Sequence, residues 1–344
     1  MSAWQRIRQA LPVALLSLAV ATPALAQHRP VVIDQAAVAE RDDQEMRADI
    51  AALTRGHGSG KKAAERLTVQ GDRALPQLHV ALSDGSSSDL QRIQLATVLA
   101  EIGSDSSIQP LIQLANSHPA QLGVRQSVVD ALAELSATPQ AVEFVDSILA
   151  SDDESWLVKR KAFVYLGRHR VEAARRWVDR YRGDANDELR AGALYLAARL
   201  GDAEALDPLV QMLAAPAPTS QRYALMLGIA ELVDADKFKQ LTPDWIHSSW
   251  EYDSAHRLAE FRGAAPSRRS EMTLSMLNSR SLFERQLAAS FVLETRGASG
   301  LLEYAGQNVP PHVRAVVRHQ LRRSGFSLQF NDQGEARAER KAQP

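Results

Sequence analysis

Residues 187–213 read DELRAGALYLAARLGDAEALDPLVQML, and their spacing decides the fold. Arg190 is followed at offsets 3, 6, 7 and 10 by Ala193, Leu196, Ala197 and Leu200, which share one side of a helix. Gly201 stands where a left-handed residue ends such a helix. Pro208 follows near the start of a second helix, where its missing N–H costs nothing.

The unit recurs in both directions. Arg stands at 92, 125, 160, 190, 222, 285 and 314, at intervals of 29 to 35 residues with one double interval of 63. Three residues on are Leu95, Val128, Phe163, Ala193, Leu225, Ala288 and Val317. Seven on are Leu99, Leu132, Gly167, Ala197, Ile229, Val292 and Leu321. Gly103, Gly201, Gly297 and Gly325 close several segments, and Pro76, Pro110 and Pro208 mark the shorter helices between them. One helical hairpin cannot bury its apolar faces, but stacked neighbours can.

Residues 187–213 resemble a HEAT repeat of the PBS-lyase-like kind, and residues 71–82, with Asp72 and Pro76, resemble the first helix of another. The resemblance covers residues 61–325 and implies an all-α fold, an α-solenoid of stacked HEAT-like helical hairpins of the armadillo type. It implies no chromophore chemistry, because such repeats occur in enzymes, adaptors and scaffolds alike. The stretch 236–280 departs from the pattern, as a divergent unit or an insertion.

The ends read differently. Arg6 and Arg8, an apolar run over residues 11–21 and Ala24-Leu25-Ala26 make a signal peptide at residues 1–26, with Gln27 as the first mature residue. That run is too short to span a bilayer, which needs about 20 residues, and no later segment is long and apolar enough. Periplasmic or secreted location is therefore expected. Residues 27–60 hold an N-terminal helix and a glycine-rich joint, Gly56-His57-Gly58-Ser59-Gly60; residues 326–344 are expected to be a disordered polar tail.

Composition narrows the chemistry. With 40 Lys and Arg against 41 Asp and Glu, net charge gives no footing for nucleic acid. The absence of cysteine excludes disulfides, thiolate metal sites and cysteine nucleophiles. The glycine-rich joint before Lys61 is not a phosphate loop: Lys62 stands where Ser or Thr is required. No His pair has zincin spacing; His247 and Glu251 share a helix face, but His256 falls on its far side. No cofactor or metal is implied.

Two stretches could recognise a partner. Residues 159–182 hold nine Lys or Arg interleaved with aromatics, a pattern that suits an anionic polymer if it is not simply a solvated face. Trp245, Trp250 and Tyr252 are either packing residues or an aromatic patch. The ladder arginines border the buried stripe and are expected to pair with acids or backbone carbonyls at the joints between repeats. Offsets 5 and 9 from each ladder Arg point away from the stripe, toward the concave surface. Most pairs there are acidic or neutral, but Tyr165, His169, Tyr195 and Arg199 sit together on adjacent repeats. Tyr and Arg are favoured at interface hot spots, so these four are the candidate binding residues.

The expected function is an exported scaffold that binds a protein or an anionic envelope component, not nucleic acid, through its concave face. A hydrolase or lyase with a site in 236–280 is the reading from another class. A scaffold should present a long groove, and an enzyme a closed pocket holding perturbed titratable groups.

Overall fold

The computed structural model describes residues 35–54, 59–215, 219–279, 281–304, 309–324, 326–330 and 336–340. The signal-peptide residues and Gly325 lie outside that set. Two compact units divide the chain, Met1–Asp42 and Asp43–Pro344. Of the first, only residues 35–42 are described, all of them in the opening helix. The second unit holds the repeat array.

Helices α1 (Gln35–Ala52) and α2 (Ser59–Gln70) precede seven hairpins. These are α3 (Leu75–Ser83) with α4 (Asp89–Ile102), α5 (Ile108–Ser117) with α6 (Leu122–Ala133), and α7 (Pro139–Ala150) with α8 (Trp156–His169). Next come α9 (Arg175–Tyr181) with α10 (Asp187–Arg199), and α11 (Leu206–Ala214) with α12 (Thr219–Leu232). The last two are α13 (Ala235–Leu241) with α14 (Trp250–Gly263), and α15 (Pro266–Leu277) with α16 (Leu282–Leu302). Helix α17 (Pro311–Arg323) ends the helical run. Each first helix packs on the second of its hairpin, and the second helices α4 to α14 pack in one continuous row. This is an all-α solenoid, and 236–280 is filled by helices that keep its alternation.

The arginine register locates the core. Every residue three positions beyond a ladder Arg is fully buried, from Leu95 to Val317. Row helices start where a side chain can take up free N–H groups: Ser88 accepts from Gln91, Asn186 from Glu188 and Leu189, and Ser281 from Glu284. Asp89, Asp187 and Glu284 occupy the first turns beside these caps. Four of the ladder arginines tie their helix to a carbonyl of the segment before it. Arg92 Nη2 donates to Gly85 O at 3.3 Å, Arg125 Nη1 to Ala115 O at 3.0 Å, Arg190 Nη1 to Asp184 O at 2.7 Å and Arg285 Nη1 to Ser279 O at 2.6 Å. Arg125 also pairs with Glu154, and Arg160 with Glu188, one repeat on.

Two stretches of the tail expected to be disordered are instead strands; residues 331–335 and 341–344 lie outside the described residues. Strands β1 (Phe326–Phe330) and β2 (Ala336–Arg340) pair antiparallel, with Phe326 opposite Arg340. β1 packs on α17 and β2 on α16. Apolar residues at 326, 328 and 330 alternate as a one-sided strand requires, a period-two signal inside a polar stretch.

The row also closes on itself. Helix α17 packs against α4, so the end of the array meets its beginning. The contact is close: a Cβ on Gly103, which ends α4 at φ 73°, would fall 2.6 Å from His319 Nδ1.

Candidate functional site

The four residues expected to line the concave surface do not form an open patch. Tyr165 is 0% exposed, Tyr195 3% and Arg199 7%; His169 is half-buried. The cause is the tight approach of α8 and α10. Gly167 has no side chain, and the Tyr195 ring takes that space: a Cβ there would meet Tyr195 Cε1 at 2.7 Å. The Tyr165 and His169 rings lie 4.7 Å apart along α8. Arg199 Nε donates to Gly167 O at 3.1 Å, and its Nη1 to Glu231 at 2.6 Å. In α8 and α10, Tyr165, Tyr195 and Arg199 thus pack between repeats, while Thr97, Glu101, Asp130 and Glu294 at the same offsets in other repeats are exposed.

The basic stretch 159–182 is absorbed in the same way. Lys161 pairs with Asp130, Arg176 with Asp146, Arg180 with Asp152 and Arg182 with Asp202. Arg160, Arg168, Arg170 and Arg175 pair with Glu188, Glu134, Glu231 and Glu172. Lys159 Nζ donates to Tyr181 OH at 3.2 Å. All nine cations have partners, many on a different repeat.

What the array does build is a cavity of about 430 Å³ on its inner side. The C-terminal ends of α8, α10, α12 and α14 supply Arg168, Arg170, Arg199, Glu231 and Arg262, and α15 adds Arg269. Helix α16 forms the opposite wall with Gln286, Leu287, Phe291 and Glu294. Gln286 stitches that wall down: its Nε2 donates to Glu134 at 2.8 Å, and its Oε1 accepts from Arg168 Nε at 3.1 Å. Gln286 thus ties α16 to the C-terminal ends of α6 and α8, and α17 packs on α4.

Glu231 is the centre of the charge arrangement. Its side chain is buried, and Arg170, Arg199 and Arg262 all pair with it. Arg170 occupies a left-handed helix cap at φ 50°, the kind of position glycine fills at Gly103. Burial lowers the Arg170 pKa, Glu231 opposes that shift, and neighbouring Arg199 and Arg262 add to it. Arg269 Nη2 donates to Arg262 O at 2.6 Å, while its Nε is buried without a hydrogen-bond partner. In the sequence Glu231 is one more acidic residue at offset 9. Nothing in the repeat register marks Arg262 and Arg269, which belong to the hairpins where the arginine ladder breaks.

The 236–280 stretch holds one pairing that resembles a nucleophile and base. Thr242 Oγ1 lies 3.1 Å from His247 Nε2, and His247 Nδ1 lies 3.6 Å from Asp244. The Thr242 hydroxyl is buried and hydrogen-bonded to Phe238 O at 3.0 Å, while His247 Nε2 also reaches Thr242 O at 3.1 Å. The group closes the end of α13 rather than activating an oxygen. His247 and His256 stack with Tyr252, and among the described residues no group of three His, Asp or Glu side chains is placed to hold a metal. Trp245 and Trp250 are about half exposed, Trp245 under the Arg222 guanidinium and Trp250 against Tyr223; Tyr252 is buried.

Residues 75–166, from α3 into α8, match the family model for HEAT repeats. These residues are HEAT repeats. The hairpins that follow continue the same stacking of HEAT-like units through α16. No curated protein matches the chain. HEAT repeats make a helical scaffold of the kind that mediates protein interactions, and no helix among the described residues is long and apolar enough to cross a membrane.

Proposed function

We propose that this chain is an exported scaffold that binds an acidic partner protein at its concave inner face. The observation that carries the reading is the cavity on that face, whose lining guanidiniums, Arg170, Arg199, Arg262 and Arg269, outnumber Glu231 and Glu294, with Arg170 the most exposed of those paired to Glu231. The other cations of 159–182 each have a partner of their own, whereas three guanidiniums at the cavity share the single carboxylate of Glu231, so this is where a partner's carboxylates find cations. Arg is favoured at such sites because its planar fork matches a carboxylate.

Export is supported by Arg6, Arg8, the apolar run and the Ala24-Leu25-Ala26 site. N-terminal sequencing of the native protein should begin at Gln27; a chain retaining Met1 would remove export from the reading. Binding is tested by capture from the native envelope fraction with wild type and with Arg262→Glu/Arg269→Glu. Capture of a protein by wild type, lost in the variant with helical circular dichroism unchanged, is the expected result. Equal capture by both would place the interface elsewhere. A captured species that resists protease would make the partner an anionic envelope polymer.

A further inference from the structure

We infer that the inner cavity binds a small dicarboxylate, two carboxylate groups joined by a short carbon chain. The inference deepens the scaffold reading, since it names what is recognised on the face assigned to the partner. A volume of about 430 Å³ suits a small ligand.

Charge sets the valence. Arg168 is neutralised by Glu134. The four remaining guanidiniums, Arg170, Arg199, Arg262 and Arg269, face the two carboxylates Glu231 and Glu294, leaving an excess of two positive charges. Guanidinium does not deprotonate in proteins, so the repulsion persists until an anion enters. Glu231 shows the matching chemistry from within the chain, a carboxylate held by three guanidiniums. Arg269 is held by the Arg262 backbone carbonyl, and its Nε is buried without a hydrogen-bond partner. Leu258, Phe261, Leu287 and Phe291 line the space between the charged groups, which favours a hydrocarbon link over a compact inorganic ion.

The same carboxylates can come from a free metabolite or from acidic side chains of a partner, and the experiment separates the two. The full chain is titrated calorimetrically at low ionic strength with succinate, acetate and inorganic phosphate. Succinate should bind at one site per chain, at least tenfold more tightly than acetate or phosphate. Arg269→Gln should weaken succinate at least tenfold. Arg268→Gln should leave it unchanged, because that exposed side chain pairs with Glu260 and Glu271 outside the cavity. A Glu-rich peptide that displaces succinate assigns the site to a partner's side chains, and one that does not assigns it to the free acid. No binding of succinate, phosphate binding as tight as succinate, or an unchanged Arg269→Gln variant overturns the inference. Partner capture that depends on Arg262 and Arg269 without succinate binding would leave the scaffold reading standing alone. Succinate binding without partner capture would do the reverse.

Discussion

At the scale of single residues, Glu231 decides more than any other side chain. It lies among three guanidiniums with its carboxylate out of water, and removing one partner from a buried charge cluster is far costlier than replacing the whole. Glu231→Ala should cost about 3–5 kcal/mol in urea unfolding, whereas Glu294→Ala, an exposed residue on the same cavity wall, should stay within about 0.5 kcal/mol. Equal losses would show that the cluster is solvated. The apolar register was legible at this scale: offsets of three and seven from each ladder Arg are buried along the whole array. The four binding candidates were not. Sequence spacing says which side of a helix a residue occupies, but Tyr195 is buried because Gly167, one repeat earlier, leaves room for its ring.

At the scale of helices, that same closeness makes a prediction. A Cβ on Gly192 would meet Phe163 Cδ2 at 2.6 Å, at the contact of α10 with α8. Ala normally favours a helix over Gly by about 1 kcal/mol, but overpacking costs about 1–3 kcal/mol. Gly192→Ala should therefore lower the melting temperature. Gly85→Ala, with open space around it, should not. Repeats are also joined by His79, whose Nε2 lies 3.0 Å from Ser107 Oγ on the next hairpin. Burial lowers the His79 pKa below its ordinary 6.5. The unfolded chain then binds the extra proton first, so His79 removes stability as pH falls below 6.5 and ceases to do so below its folded pKa. His79→Gln should flatten the stability curve in that window, measured by urea unfolding on either side of the ordinary His pKa. A slope identical to wild type would assign the pH dependence to other groups. The helix count and hairpin order could be read from proline, glycine and arginine spacing; the β hairpin was missed because two short strands leave little signal beside a run of charges.

At the scale of the whole array, closure separates this protein from an open solenoid. Open repeat arrays are stabilised by neighbours alone, so damage at one end stays near that end. Here α17 sits on α4 and Gln286 bonds to Glu134 and Arg168 across 152 and 118 residues. Gly103→Ala would strain a left-handed cap and press on His319 together. It should speed amide hydrogen exchange in α17 as well as in α4, while α10 keeps its protection. Faster exchange confined to α4 and its neighbours would mean that the closure carries no energy. No sequence period could reveal this contact, because a repeat describes how each unit meets the next and not how the last meets the first.

The seat of α17 on α4 also orders events in time. Neighbouring hairpins can stack as the chain emerges from its N-terminal end, since each needs only the one before it. The bond between Glu134 and Gln286 and the seat of α17 on α4 must wait until almost the entire chain has appeared. Contacts so distant in sequence are entropically expensive to close, and they are expected to form last. Until α16 arrives the arginines of the inner wall have no opposite wall, and α17 completes the lining with Gln320.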